Sequence, residues 1–198
     1  MNRCYYFTGT EKHGQYIACL PDNPPVNPKI VGWEMAAYLA QTKEFPCELV
    51  LKPCKEKDKN SPVEWHDYMY NQFAFFIVSE RLKKFLEKKS VMNDSIEWVN
   101  VNIRHEDIVK EYYIVMFTEQ QDVIDEKNTK YYLEDNSILV PCISLEKAEK
   151  FKIFSVNDKN IPVMLYTTYE IKKELQKEKF SNLIFGKAKT SYNGVIVK

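Results

Sequence analysis

The sequence predicts an α+β fold with a mixed, largely antiparallel sheet and a few packed helices. Three observations favour this class. Short apolar stretches bounded by turn residues outnumber the amphipathic segments. The regular alternation of strand and helix that is typical of parallel sheets is missing, and only five glycines are spread over the chain. One strand-to-helix pattern occurs twice, which indicates two similar units in one fold.

The repeated pattern covers residues 75–86 and 163–175. Each copy runs from an apolar stretch into a hydroxyl residue and then into an amphipathic helix. Ser79 and Thr168 align at the junctions, where a hydroxyl can accept from an N–H of the first helical turn. In the second copy Thr167 also satisfies a capping box, so the cap there is Thr167 or Thr168. The aligned apolar pairs are Leu82 with Ile171 and Leu86 with Leu175.

The N-terminal third predicts short elements and loops. Apolar residues at 4–7 and 16–20 flank a turn that contains glycine, which predicts a first hairpin. Four prolines force residues 21–28 into a loop, because proline fixes φ and lacks an N–H. Residues 32–40 predict a short helix or an irregular buried segment. The charged segment 52–62 contains two prolines and predicts an exposed loop, the best candidate for a domain boundary.

β-branched and aromatic residues predict most of the remaining strands. Residues 96–103 alternate partly between apolar and polar side chains, as a strand with one buried face does. Pro141 places its strand at a sheet edge or at a bulge, because proline cannot donate to a ladder. Gly186 is expected to end the strand before it. The predicted strands cover residues 48–51, 73–78, 96–103, 112–117, 138–143, 148–156, 163–166, 183–185 and 195–197.

The composition favours a single domain over residues 1–198, and an N-terminal lobe at 1–60 beside a larger region at 61–198 is the alternative. Of the 198 residues, 44% are hydrophobic and 14% are aromatic, which is enough for a sizeable core. The 28 basic residues balance the 28 acidic residues. We therefore expect no nucleic-acid partner, because general nucleic-acid binding normally needs a strong basic excess.

The sequence predicts a cytoplasmic protein without a membrane partner. No stretch approaches the roughly 20 apolar residues that a membrane-spanning helix needs, and the first residues lack the apolar core of a signal peptide. The five cysteines are odd in number and scattered. Such a set is typical of reduced thiols in a cytoplasm.

No motif indicates catalysis, a cofactor or a metal. Neither G-x-G-x-x-G nor G-x-x-x-x-G-K-[ST] occurs, so nucleotide binding through these loops is excluded. No serine lies in a G-x-S-x-G elbow, and a helix cap explains Ser79. The C-x-x-C and H-x-x-x-H spacings of zinc ligands are absent.

Two histidines are the candidates if the protein is an enzyme. His66 precedes Asp67, and His105 precedes Glu106 and Asp107. Sequence neighbours rarely converge on one point, so we expect both histidines at the surface or in loops. A deep pocket that holds either histidine with a convergent carboxylate would instead favour an enzyme.

Two groups of residues are candidates for contact with a protein partner. The aromatic run 65–73 either covers the core or forms a recognition surface, since tyrosine and tryptophan are enriched at interfaces. An acidic group at 119–135 either is an ordinary solvated face or steers a basic partner. The predicted contact residues are Trp65, Tyr68, Tyr70, Asp122 and Asp125.

Several motifs occur in a fixed order along the chain. They are Trp65-x-Asp67, the V-S-E-R-L junction at 78–82, the strand at 96–101, the paired tyrosines at 112–113, the D-x-x-D step at 122–125, the Phe151-x-Ile153-Phe154 strand and the T-Y-E start of a helix at 168–170. Together they resemble a bacterial family of immunity proteins from polymorphic toxin systems, formerly a domain of unknown function. The resemblance covers roughly residues 60–185.

The resemblance implies a non-enzymatic, cytoplasmic protein that binds a cognate toxin and blocks it. Such families diversify at the partner surface, so no binding residue is transferred. Two alternatives remain at this stage. One is an enzyme that uses His66 or His105. The other is an oligomeric scaffold protein whose copies pair through the edge strand around Pro141.

Overall fold

The computed structural model describes residues 3–8, 16–24, 38–39, 41–42, 44–45, 47–119, 121–156 and 164–197. Within them the predicted α+β class is confirmed, because helices accompany strands that pair mostly antiparallel in four sheets. Most of the helix predicted at 32–40 lies outside the described residues. The subdivision at residue 60 stays a prediction.

The elements are numbered in chain order. The strands are β1 (Cys4–Thr8), β2 (Tyr16–Cys19), β3 (Leu49–Pro53), β4 (Tyr68–Met69), β5 (Ile77–Val78), β6 (Ile96–His105), β7 (Ile108–Phe117), β8 (Lys130–Tyr131), β9 (Ile138–Val140), β10 (Ile143–Ser144), β11 (Ile153–Ser155), β12 (Leu165–Thr168), β13 (Ile184–Lys187), β14 (Thr190–Tyr192) and β15 (Val195–Ile196). The helices are α1 (Glu80–Lys89), α2 (Leu145–Ala148) and α3 (Tyr169–Glu178), and 3-10 turns cover Glu56–Asp58 and Met92–Asp94.

The largest sheet has the order β2-β3-β6-β7-β5-β4, and the long hairpin β6–β7 forms its centre. The two strands pair over their whole length, from Ile96 opposite Phe117 to His105 opposite Ile108. β6 alternates in its second half, with Val99, Val101 and Ile103 buried and the residues between them exposed. This is the period of two that a strand imposes on its side chains.

β7 separates two hydrophobic cores. Tyr112, Ile114 and Met116 point into the first core, which also holds residues of β2, β3 and β6. Tyr113 and Val115 point into the second core, which lies beneath α1 and α3. A third core surrounds Phe154 and Tyr166, whose rings stack at 5.7 Å between their centroids. We call these the first, second and third cores.

The predicted hairpin between residues 4–7 and 16–20 is wrong. β1 pairs antiparallel with β12 on one side and with β13 on the other, in a sheet of order β11-β12-β1-β13. β2 pairs instead with β3 in the larger sheet. Cys4, Tyr5 and Phe7 are all buried, so β1 needs cover on both faces. The flanking strands pair its two edges, and its faces are covered by the second core around Phe7 and the third core around Cys4.

The two predicted strand-to-helix units are present and pack against the same core. Their aligned apolar residues are all buried in the second core: Leu82, Leu86, Ile171 and Leu175. Ser79 caps α1, with its hydroxyl accepting from the Leu82 N–H at 3.3 Å. Thr168 is the N-cap of α3, but its hydroxyl makes no capping hydrogen bond. The Thr167 hydroxyl donates to the Lys152 carbonyl at 3.0 Å.

Two predicted strand details differ from the structure. The strand predicted at 138–143 breaks at Pro141, so β9 and β10 belong to different sheets. Proline cannot donate a ladder hydrogen bond, and here the interruption is complete rather than a bulge. Gly186 lies inside β13 opposite Tyr6 rather than at the strand's end. A Cβ at Gly186 would lie only 2.0 Å from the Tyr6 ring, so the sheet needs glycine there.

The strand predicted at 73–78 is shortened to β5 because the Asn71 side chain forms hydrogen bonds with the backbone that precedes β5. Its buried side chain accepts from the Phe73 and Phe75 N–H groups, each at 3.1 Å. It donates to the Met69 and Phe75 carbonyls at 3.1 and 2.7 Å. Ala74 takes φ 58°, the left-handed conformation that turns the chain. One amide therefore satisfies four backbone groups inside the first core.

Replacing Asn71 by alanine should lower the free energy of unfolding by about 3 kcal/mol or more, since each buried backbone group left unpaired costs about 1–3 kcal/mol. Urea unfolding followed by circular dichroism measures the loss. Asn102→Ala is the matched control, because Asn102 is exposed on β6, and it should change stability by no more than about 0.5 kcal/mol. Equal losses in the two variants would contradict the role of Asn71.

Candidate functional site

In the described part of the chain, the most exposed apolar side chain lies on a small β-hairpin that also carries acidic residues. β8 and β9 pair antiparallel as a separate two-stranded sheet. We call residues 130–140, which comprise β8, its turn and β9, the ribbon. Leu133 at its tip is fully exposed, at 104% relative accessibility. The other exposed apolar residues of the ribbon are Tyr132, Leu139 and Val140.

The tip of the ribbon is held by a local hydrogen-bond network. The Tyr132 N–H donates to the Ser137 carbonyl at 2.8 Å, and the Asn136 N–H donates to the Tyr132 carbonyl at 3.2 Å. Asn136 adopts φ 58°, which asparagine tolerates better than most residues. Asp135 accepts from the Ser137 hydroxyl at 2.6 Å and from its N–H at 3.1 Å. The turn that carries Leu133 is therefore ordered.

The base of the ribbon is anchored to the third core. Ile138 packs against that core, and Ser137 is buried. The Thr129 hydroxyl donates to the Asp125 carbonyl at 2.8 Å and accepts from the Cys142 N–H at 3.0 Å. The Asp125 N–H donates to the Cys142 carbonyl at 2.8 Å. These bonds fix both strands where they leave the body of the protein.

Acidic residues outnumber basic residues in the ribbon and the segment that precedes it. The segment 121–140 contains five acidic and two basic residues in a chain whose formal net charge is zero. Glu134 and Asp135 directly follow Leu133 and are exposed, and Glu126 is exposed in the turn before β8. The ribbon therefore combines apolar surface with negative charge.

The structure gives different roles to the two predicted acidic contact residues. Asp122 is exposed and accepts from Lys147 Nζ at 2.8 Å, and this hydrogen bond raises the pKa of Lys147. Asp125 closes the turn before β8, where it accepts from Asn128 Nδ2 at 2.8 Å. Hydrogen bonds from the side chains of Asn128 and then Ser191 lower the pKa of Asp125. Asp122 therefore faces solvent, whereas Asp125 holds the turn.

The three predicted aromatic contact residues lie beside the first and second cores, apart from the acidic pair near the third. Trp65 is half-buried, stacks on Tyr112 with 6.3 Å between ring centroids, and carries Lys110 Nζ 4.7 Å from its own centroid. Tyr68 is only 8% exposed and packs on Phe76, and burial raises its pKa to about 12. Tyr70 is partly exposed. Tyr68 thus serves the core, and Trp65 and Tyr70 retain accessible surface.

The two histidines do not meet in a pocket. His66 Nε2 lies 3.5 Å from Glu64 Oε2, and its carbonyl accepts from the Tyr112 hydroxyl at 3.0 Å. His105 ends β6, and its ring makes an edge contact with Tyr16 at 5.2 Å between centroids. Neither histidine lines the two cavities described next.

Two cavities adjoin α3. A cavity of about 420 Å³ beside the start of α3 is lined by Arg3, Cys4, Glu149 and Glu170 among others. Burial raises the pKa of Cys4 to about 12, so its thiol stays protonated and unreactive. A second cavity of about 440 Å³ lies between α3 and residues 180–185 and is lined by both polar and apolar side chains.

Neither a cluster of metal ligands nor a membrane-spanning helix occurs among the described residues. Among them, no group of three or more histidine, cysteine or acidic side chains is placed to hold a metal ion. No helix in the same part of the chain is long and apolar enough to cross a membrane.

An ordered, exposed apolar ribbon with acidic neighbours has the features of a protein-binding module. The particular family follows from comparison with known proteins. The model of an immunity protein family, Imm11, matches residues 12–190, and the chain belongs to this family. The predicted membership of an immunity protein family is thereby confirmed. No curated protein matches the chain.

Sequence reasoning missed the apolar residues of the ribbon. The signal was present, because two apolar triplets at 131–133 and 138–140 flank four polar residues, the pattern of a hairpin with a short loop. Joining 138–143 into one strand hid the second triplet. Treating 119–135 only as an acidic group hid the first.

Cys4 should resist alkylation in the folded protein. A thiol with a pKa of about 12 has a thiolate fraction of about 10⁻⁴ near pH 8, so iodoacetamide should modify it at least about a thousandfold more slowly than an ordinary thiol. Peptide mass spectrometry measures the rate at each cysteine. The half-buried Cys54 is the internal comparison, and urea should restore the rate at Cys4. Fast native alkylation of Cys4 would contradict this assignment.

Proposed function

We propose that this protein binds a cognate bacterial toxin and neutralises it without catalysis. The observation that carries the proposal is the family match over residues 12–190. Members of an immunity family act on a toxin produced by the same cell or its kin, so the partner is a protein. The proposed mechanism is a tight interface that covers or distorts the toxin's active site.

Features of the surface support a binding role. Half-buried aromatic rings such as Trp65 offer large contact area with little loss of side-chain entropy, because their rings are already held by neighbours. Exposed carboxylates such as Asp122 accelerate the encounter with a basic partner. We propose that Trp65, Tyr70 and Asp122 contact the toxin, and that Tyr68 and Asp125 support the surface from beneath.

We propose that binding takes place in the cytoplasm. All five cysteines are free thiols, which suits a reducing compartment. A toxin delivered into a bacterial cell, or retained there before export, would meet the immunity protein in that compartment.

Co-expression with the toxin tests the proposed function. Tagged protein is expressed in its source bacterium and purified gently, and a stoichiometric partner is identified by mass spectrometry. That partner should arrest growth when expressed alone in a naive host, and this chain should restore growth. A folded variant that lacks β8 to β9 tests whether the restored growth depends on the ribbon. A co-purifying partner that is harmless alone would overturn the proposal.

Charge reversal at Asp122 should slow association with the toxin. Replacing Asp122 by lysine is expected to lower the association rate about tenfold at low ionic strength and much less near 0.5 M salt, since screening removes steering. Stopped-flow fluorescence measures both rates. Lys147→Ala is the matched control, because it breaks the same ion pair but keeps the acidic charge. If both variants bind at the wild-type rate, Asp122 lies outside the toxin-binding surface.

A further inference from the structure

We propose that the tip of the ribbon, centred on Leu133, is the anchor that enters the toxin, and that the toxin face around it is basic with an apolar pocket. This inference rests on the proposed function and specifies its contact surface and the chemistry of its partner. Four observations carry it: the exposure of Leu133, the order of its turn, the apolar neighbours and the sign of the surrounding charge.

Leu133 is the most exposed apolar side chain in the described part of the chain. Burying a leucine is favourable, and this gain is unused in the free protein. The tip is already fixed by bonds from the Tyr132 and Ser137 N–H groups. Little backbone entropy is therefore lost when a partner closes around Leu133, and preorganised anchors bind more tightly for that reason.

The ribbon differs from other exposed apolar positions. Met92 is 96% exposed, but it stands alone on a 3-10 turn, and single exposed apolar residues are ordinary. Val195 and Ile196 lie along β15 and are less exposed, at 69% and 36%. Among the described residues, only the ribbon combines a fully exposed leucine with three more exposed apolar side chains, those of Tyr132, Leu139 and Val140.

Charge sets the chemistry of the partner. Glu134 and Asp135 directly follow Leu133, and the segment 121–140 carries five acidic against two basic residues. A partner that buries this tip must bring basic side chains to the rim, because unpaired buried carboxylates are costly. Its centre must be apolar to receive the leucine. Both requirements describe one face of a basic toxin.

A second copy of this chain fits the tip less well. Helices α1 and α3 carry eight of its 28 basic residues, but most of these already have partners. Lys84 pairs with Glu80 at 3.0 Å, and Lys89 pairs with Glu174. Lys83 Nζ lies 3.8 Å from the Tyr113 ring centroid, and Lys172 Nζ lies 3.8 Å from that of Tyr5. These contacts would have to break before a second ribbon could bind there.

The test compares Leu133→Ala with Met92→Ala, a control that truncates an equally exposed side chain outside the ribbon. Titration calorimetry uses the toxin that the co-expression experiment identifies and the full chain of each variant. Leu133→Ala should weaken binding at least about tenfold, as truncation of an interface anchor does, and Met92→Ala should stay within about twofold. Glu134→Lys should slow association about tenfold at low salt.

Circular dichroism and urea unfolding establish that each variant is folded. A photo-crosslinking amino acid at position 133, and at position 92 as control, then reports what touches the tip inside the source bacterium. A crosslink from 133 to the neutralised toxin supports the inference. A crosslink only to a second copy, or wild-type affinity in Leu133→Ala, overturns it while neutralisation still stands. Loss of neutralisation by the wild-type chain would overturn the proposed function itself.

Discussion

The burial of the second half of β7, residues 112–116, on both faces is the constraint on which the rest of the fold depends. Alternate residues of this segment belong to different cores, with Ile114 in the first and Val115 in the second. A segment buried on both faces needs cover on each side, so helices α1 and α3 close one core while β2 and β3 contribute to the other. β5 repeats the arrangement, because Ile77 and Val78 also divide between the two cores.

Much of the local structure could be predicted because local chemistry decides it. The Ser79 cap depends on a hydroxyl three residues before an orphan N–H, and both lie within one short segment. β6 could be recognised because its second half alternates with the period of a strand. The partners of β1 could not be predicted, since they depend on long-range burial rather than on the nearby turn. The late start of the strand predicted at 73–78 depends on Asn71. The role of Asn71 is apparent only in the folded protein, where its side chain meets its four backbone hydrogen-bond partners.

The candidate site shows the same division. The sequence indicated an acidic segment and an aromatic run, but it did not reveal which side chains reach solvent. Tyr68 and Trp65 look alike in the sequence, yet one is buried in β4 and the other keeps an accessible face. Leu133 carries no recognisable motif, because exposure is a property of the turn that holds it. Family membership indicates a role in toxin immunity. The geometry of the ribbon identifies particular side chains at which toxin binding can be tested.

The position of β1 has a consequence for folding during synthesis on the ribosome. This strand leaves the ribosome long before both of its neighbours, β12 and β13, have been made. Its two edges therefore remain without their native partners until β13 has emerged. Contacts between distant segments slow folding, and uncovered apolar strands attract chaperones or aggregate. The sheet of order β11-β12-β1-β13 can thus be completed only after its last strand has been synthesised.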